Sequence, residues 1–394
     1  MGCYSRLIFV LCLAMVPVPA RAQSSLEKIK TGYANASARL EKHLDDDQWI
    51  DDDPESPKLL ARQWSLAGEW VAAWLNAHPH ADPSGVKDAL VKLAPSSKPQ
   101  YLVLNATTFL VVAPSPIGNV FIVSRFGDDY RVAWSTAQTQ EASGESAEVL
   151  AAWRAENARL GGRGPYWAAY GSAGPVVPQL GILPSDAKGH ARFYIDGMYQ
   201  QGAGGTVGGQ ISLWVWDGST ARPQLTRSYT FMIDQKVGTR MEGDLLKVQQ
   251  KKFFRTLSSC GECEERQTDW IVRVTLDGMK ELGEKSLVPE LDAVDELFYR
   301  VINGKSASDL AAPAAIEAAK GIVDSKRTSE SEKDWKEFPN LGMIEGSSVT
   351  KNEDGEVLCL ALFDVEGANM FKLRPAGDSF FITDVTKTGA SCSK

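Results

Sequence analysis

The stretch F-K-L-R-P-A-G-D-S-F-F-I-T-D-V, residues 371–385, decides how the last part of the chain is read. Two apolar, aromatic-rich runs flank Ala376-Gly377-Asp378, residue types that accept the backbone angles of a tight turn. The pattern predicts strands at Asn369–Arg374 and Ser379–Thr386 joined as a hairpin. Working back, two more strands are expected at Gly342–Thr350 and Glu356–Asp364, with turns at Glu353-Asp354-Gly355 and Glu366-Gly367. Before them S-K-R-T-S-E-S-E-K-D, residues 325–334, reads as a polar linker. Further back, Val294, Leu297, Phe298, Val301 and Ile302 form an apolar stripe at helical spacing that Asn303-Gly304 ends. A second helix is expected over Ser308–Val323, with Pro313 tolerated only in its first turns. Pro289 opens this module, which covers residues 289–394.

Two helices followed by a curled antiparallel sheet ending in that hairpin resemble the nuclear transport factor two-like superfamily of cone-shaped α+β domains. The resemblance covers 106 residues and implies a cone with an internal pocket. Enzymes of that superfamily place an acidic base or a His–Asp pair inside the cone. Residues 289–394 contain no histidine, and Asp364 and Asp384 near strand ends match no catalytic motif. The resemblance therefore implies a fold and no activity.

Upstream, residues 99–288 read as a β-rich domain. Strands are expected at Tyr101–Leu104, Phe109–Val112, Val120–Ser124, Tyr130–Ser135, Phe193–Ile195, Ile211–Trp216, Ser228–Ile233, Leu245–Leu257 and Trp270–Leu276. Turns such as Asp217-Gly218 and Asp277-Gly278 punctuate them. A helical insertion over 146–160 and a Gly/Pro-rich loop over 161–185 interrupt the series. A propeller blade takes about 40 residues, and no clean repeat appears, so a meander or sandwich is preferred over a small irregular propeller. Residues 23–98 are helical: Leu26, Ile29, Tyr33, Ala36 and Leu40 recur at helix spacing, as do Ala67, Trp70, Val71, Trp74 and Leu75. The fold class is thus multi-domain α+β.

At the other end, Leu7–Val16 is an unbroken apolar run, followed by Pro17, Pro19 and the small-x-small motif Ala20-Arg21-Ala22. This is a secretory signal over residues 1–22, cleaved before Gln23. A membrane anchor needs roughly 20 apolar residues, about twice this run, so a secreted or periplasmic chain without an anchor is expected. Cleavage removes Arg6 and Arg21 and no acid, taking the net charge from -8 to -10. That acidity excludes nucleic acid and anionic lipid surfaces as partners; an unknown protein or a small neutral ligand remains.

Four cysteines stay after cleavage: Cys260, Cys263, Cys359 and Cys392. Three pairings are open, and proximity favours Cys260–Cys263 with Cys359–Cys392. A thiol oxidoreductase wants its attacking thiolate near cations or a helix N-terminus, yet Glu262, Glu264 and Glu265 surround the C-G-E-C motif. A hairpin staple is the preferred reading over redox or zinc chemistry. Asp45–Asp47 and Asp51–Asp53 miss the register of a calcium loop. For His43, His78 and His80 the preferred reading over a transition-metal site is an ordinary structural role, with His78 complementing the dipole at a helix C-terminus. Tyr170-Gly171-Ser172-Ala173-Gly174 falls one place short of a nucleophile elbow, and His190 stands alone in the β region. The glycine run 202–209 joins two strands, so it is no phosphate cradle. Phe193, Tyr194, Tyr199, Trp214 and Trp216 cluster around that glycine run; ordinary sandwich packing is the preferred reading, and a ligand face for sugars or peptide strands is the alternative. No catalytic residue, metal or cofactor is assigned. The chain reads as a non-catalytic binding protein; the alternatives are a hydrolase whose polar site no motif marks, or a thiol–disulfide oxidoreductase at Cys260 and Cys263.

Overall fold

The computed structural model describes residues 20–45, 56–78, 83–114, 119–136, 178–200, 206–232, 238–252, 254–257, 266–329, 341–342, 344–353, 355–362, 367–389 and 392. The fold is mixed α+β and rich in antiparallel sheet, with five helices among the described residues. The chain divides into two compact units. Among the described residues no helix is long and apolar enough to cross a membrane. The signal run Leu7–Val16 and the helical insertion over 146–160 lie outside the described residues, as does Asp364.

The first unit packs three helices, α1 (Ala20–Asp45), α2 (Ser56–Ala77) and α3 (Pro83–Leu93), against a sheet. That sheet runs in the order β1 (Tyr101–Asn105), β2 (Thr108–Val112), β3 (Val120–Phe126) and β4 (Asp129–Ser135). Trp70, Val71 and Leu75 of α2 share a core with Val86 and Leu90 of α3 and with Phe109, Val111 and Phe121 of the sheet. The expected β-rich domain over 99–288 is therefore two separate sheets, and the first belongs with the helices. The physical reason is burial: all five residues of β2 are buried, and a helix face must cover them. Two devices fix α2 on the sheet. Asn76 reads the Tyr130 backbone with both amide atoms, accepting from its N–H at 2.6 Å and donating to its carbonyl at 2.9 Å. Gly68 supplies the close approach: a Cβ there would stand 2.8 Å from Val132 Cγ2.

In the second unit a large sheet includes β6 (Ala191–Gln200), β7 (Thr206–Trp216), β8 (Ala221–Met232), β10 (Leu245–Lys252), β11 (Arg266–Thr275) and β12 (Gly278–Ser286). The strands run β12-β11-β10-β8-β7-β6, and β9 (Thr239–Glu242) also pairs with β10. A short strand, β5 (Gln179–Leu183), precedes this set in the chain. Leu213, Leu246, Val248, Trp270 and Val272 make the core of one face. The expected strand Leu245–Leu257 stops at Lys252, because Phe254 and Leu257 turn away to join the C-terminal core.

That core lies within the C-terminal module, where α4 (Pro289–Ile302) and α5 (Pro313–Ser329) precede the sheet β13 (Ile344–Asn352), β14 (Gly355–Leu362), β15 (Ala368–Ala376) and β16 (Ser379–Thr388). Val294, Leu297 and Phe298 of the α4 stripe are buried, Val301 and Ile302 pack half-buried against them, and Phe298 meets Phe371 edge-on, with centroids 5.9 Å apart. Residues 325–329 of the expected polar linker continue α5 instead. Lys326 and Arg327 sit in its last turn, where cations complement the helix dipole. Gly355 is obligatory at the β13–β14 turn: φ is +143°, and a Cβ would stand 2.2 Å from the Leu373 carbonyl oxygen. Cys359 on β14 is disulfide-bonded to Cys392, with Cα atoms 5.7 Å apart.

Candidate functional site

The site begins with Phe254–Leu257, just beyond the end of β10. Phe254 and Leu257 are buried anchors, so the backbone between them leaves the sheet and loses its ladder partners. Asp295 of α4 replaces them. Its carboxylate accepts from the Arg255 N–H (2.9 Å), the Thr256 N–H (2.9 Å) and the Thr256 hydroxyl (2.7 Å), and the residue is only 5% exposed. The Thr256 carbonyl in turn accepts from the Leu341 N–H at 2.8 Å. This small network presents the Arg255 side chain outward.

Beside it opens a cleft of about 270 Å³ lined by Arg255, Arg266, Ser286, Asp292, Glu296 and Asp378, among others. Its charges are organised in pairs. Arg266 grips Asp292 with two prongs, Nε to Oδ1 at 2.7 Å and Nη2 to Oδ2 at 3.1 Å. Arg255 donates to Glu296 at 2.6 Å and lies over the Tyr299 ring, 4.9 Å from its centroid. Arg300 takes the other Glu296 oxygen at 2.9 Å and reaches Asp309 at 2.5 Å. Ser286 accepts from the Val288 N–H at 3.1 Å. Planar guanidinium forks on carboxylates fix geometry as well as charge. Asp292, Asp295 and Glu296 thus act as acceptors already engaged, and the half-exposed Arg255 guanidinium is a donor the cleft leaves reachable.

The alternative of an aromatic ligand face does not hold for the described side chains of that cluster. Phe193, Trp214 and Trp216 are buried, and Phe193 stacks on Trp214 at 6.5 Å with planes 5° apart. Tyr194 points to the opposite side of β6 and packs on the core of the other face, since neighbouring strand residues alternate. Burial pushes its phenol upward, aided by the charge of Asp196. These four therefore pack the sheet, and the Tyr199 side chain lies outside the described residues. Cys260 and Cys263 lie outside them too, as do His80, the Asp51–Asp53 triplet and the Tyr170–Gly174 segment. The side chains of His43 and Asp45 are likewise undescribed. His78 closes α2, its Nδ1 2.8 Å from the Trp74 carbonyl and its ring stacked on Trp74 at 4.0 Å. Among the described residues no group of three His, Cys, Asp or Glu is placed to hold a metal ion.

One arrangement escaped the sequence. His190 Nδ1 lies 2.8 Å from Asp186 Oδ2, while Asp186 Oδ1 accepts from the Lys188 and His190 N–H groups. Desolvation resists ionisation of Asp186, but these donors outweigh it and hold the carboxyl below the usual range. The D-x-x-x-H spacing was its only signal, and an aspartate that opens a turn and accepts from N–H groups just downstream gives the same residues a purely local role. No protein-family model matches the chain, and no curated protein matches it significantly.

Proposed function

We propose that the chain is an exported, non-catalytic binding protein that docks a protein segment or a small neutral ligand in the Arg255–Arg266 cleft. The observation that carries this reading is the engagement of three cleft carboxylates by arginines or backbone N–H groups. Fixed ion pairs give a preorganised recognition surface, and preorganisation lowers the entropic cost of binding. The volume lies just below the roughly 300–1,000 Å³ usual for small-molecule pockets, which suits one anchoring side chain or a fragment-sized ligand. Export is supported by the leader sequence and the Cys359–Cys392 disulfide, which needs an oxidising compartment to persist. The order of α4, α5 and β13–β16 supports placing the C-terminal module in the nuclear transport factor two-like superfamily.

The test is shift mapping of the full mature chain with panels of neutral sugars and of short peptides. A binder shifts α4, Ser286 and Ser379 signals, and Arg255→Ala removes those shifts while melting cooperatively. Shifts confined to other surfaces would remove the cleft from consideration. The hydrolase alternative draws support from the Asp186–His190 pair, which orients an imidazole as a general base requires. It predicts turnover of model ester, peptide or glycoside substrates that His190→Ala abolishes.

A further inference from the structure

The first turn of α4 carries Glu290, which abuts Glu356 on β14. Glu356 also faces Lys351 across the β13–β14 ladder, Lys351 Nζ lying 2.9 Å from Oε1. Its second oxygen is different. Oε2 is sealed from solvent, and among the described residues no N–H or hydroxyl group reaches it. A buried carboxylate oxygen without a donor is strongly disfavoured, and an ionised Glu290 beside it would add repulsion. One proton removes both costs, because a carboxyl group donates to a carboxylate through a short charge-assisted bond.

We propose that Glu290 and Glu356 share a single proton, with the Glu290 carboxyl donating to Glu356 Oε2, and that this proton seats the first turn of α4 and with it one wall of the cleft. Pro289, Asp292, Asp295 and Glu296, all on α4, line that cleft. Both titrations agree in direction. Desolvation and contact with Glu356 raise the Glu290 carboxyl above its usual value, and its own backbone N–H and, less, Lys351 offset this only in part. Lys351, reinforced by Glu290, lowers Glu356. Other charges near α4 are committed elsewhere: Asp292 to Arg266, Glu317 on α5 to Lys320, and Asp384 on β16 to Lys372.

The pH dependence follows by sign. Glu290 is raised in the fold, so its contribution is complete below the ordinary glutamate value and is lost as pH climbs through the raised one. Glu356 is lowered, so its contribution is present above the ordinary value and is lost on acidification. The pair holds α4 best between the two titrations and releases it on the alkaline side.

Carboxyl NMR of glutamate-labelled full-length mature protein, with hydrogen exchange across residues 289–296 from pH 5 to 8, tests this. Glu290 is expected to titrate above the ordinary value, and Glu356→Gln is expected to return it toward that value. Exchange in the first turn of α4 should accelerate beyond the chemical rate by up to about tenfold per pH unit once Glu290 ionises. Glu290→Gln keeps a donor for Oε2 and has no proton to lose, so its exchange should follow the chemical rate alone. Should Glu356→Gln fail to fold, that comparison of Glu290→Gln with the unaltered protein decides. A Glu290 that titrates at or below the ordinary value overturns the proposal, and so does α4 exchange with the same pH profile in both proteins. The consequence for binding rests on the cleft being the docking site. The shared proton does not, so a silent ligand panel and an unshifted Glu290 are separate failures.

Discussion

Asp295 is the residue on which the cleft turns, and no motif marks it. It lies in α4 among Val294, Leu297 and Phe298, where an aspartate looks like an ordinary polar interruption of an apolar stripe. Its partners, Arg255 and Thr256, are about 40 residues earlier in the chain, and local pattern carries no information about them. Asp295→Ala would leave two backbone N–H groups without an acceptor. Hydrogen bonds to charged groups contribute about 1.5–3 kcal/mol each, and the orphaned donors add desolvation costs. We expect a loss of about 3 kcal/mol, measured by urea unfolding, and a shifted Arg255. A loss below about 1 kcal/mol would mean the strand end does not depend on this carboxylate. The aromatic cluster was ambiguous for the opposite reason: Phe193, Trp214 and Trp216 carried a clear signal, but large rings mark cores and ligand faces alike. Only burial separates the two.

At the scale of elements, periodicity served well and partnership poorly. The stripe of α4, the two N-terminal helical stripes and the hairpin around Gly377 stand where spacing and turn chemistry put them. What the sequence could not say was that β1–β4 belong with α1–α3, since a fully apolar strand such as β2 asks for cover without naming it. Gly68 is the residue that records the partnership. In an exposed helix Gly→Ala stabilises by about 1 kcal/mol. Here the new methyl would strike Val132 Cγ2, and overpacking of this kind costs about 1–3 kcal/mol. Gly68→Ala is therefore expected to lower the melting temperature, and Val132→Ala in the same chain to recover part of the loss. A double-mutant cycle reads the coupling directly; additive losses would show that α2 and β4 do not press on each other there. Asn76→Ala should cost about 1–2 kcal/mol, since it strips both hydrogen bonds from the Tyr130 backbone. Asn76→Asp is expected to fall between, keeping the acceptor and losing the donor.

For the whole molecule the sulfur atoms link fold to compartment. Cys359–Cys392 closes a loop of 33 residues of separation that contains the β14–β15–β16 meander, and chain entropy assigns such a loop about 4 kcal/mol. The pairing was legible from proximity alone, because with four cysteines only three arrangements compete. The two compact units have distinct cores, so the contribution of this bond should be confined to the second. We expect calorimetry of Cys359→Ser/Cys392→Ser to lower the transition that includes the C-terminal module by several degrees. The helix–sheet unit should melt where it did, which the Trp70 neighbourhood can report. If both transitions fall together, the units unfold as one and the division has no thermodynamic meaning. Thiol titration of the unfolded, non-reduced chain adds the link to export. No reactive sulfhydryl is expected if Cys260 and Cys263 are joined as well, and two would leave them free to act as a redox pair in the competing reading. Four would mean that even the C-terminal bond does not form where the protein works, and the exported binding protein would lose its physical basis.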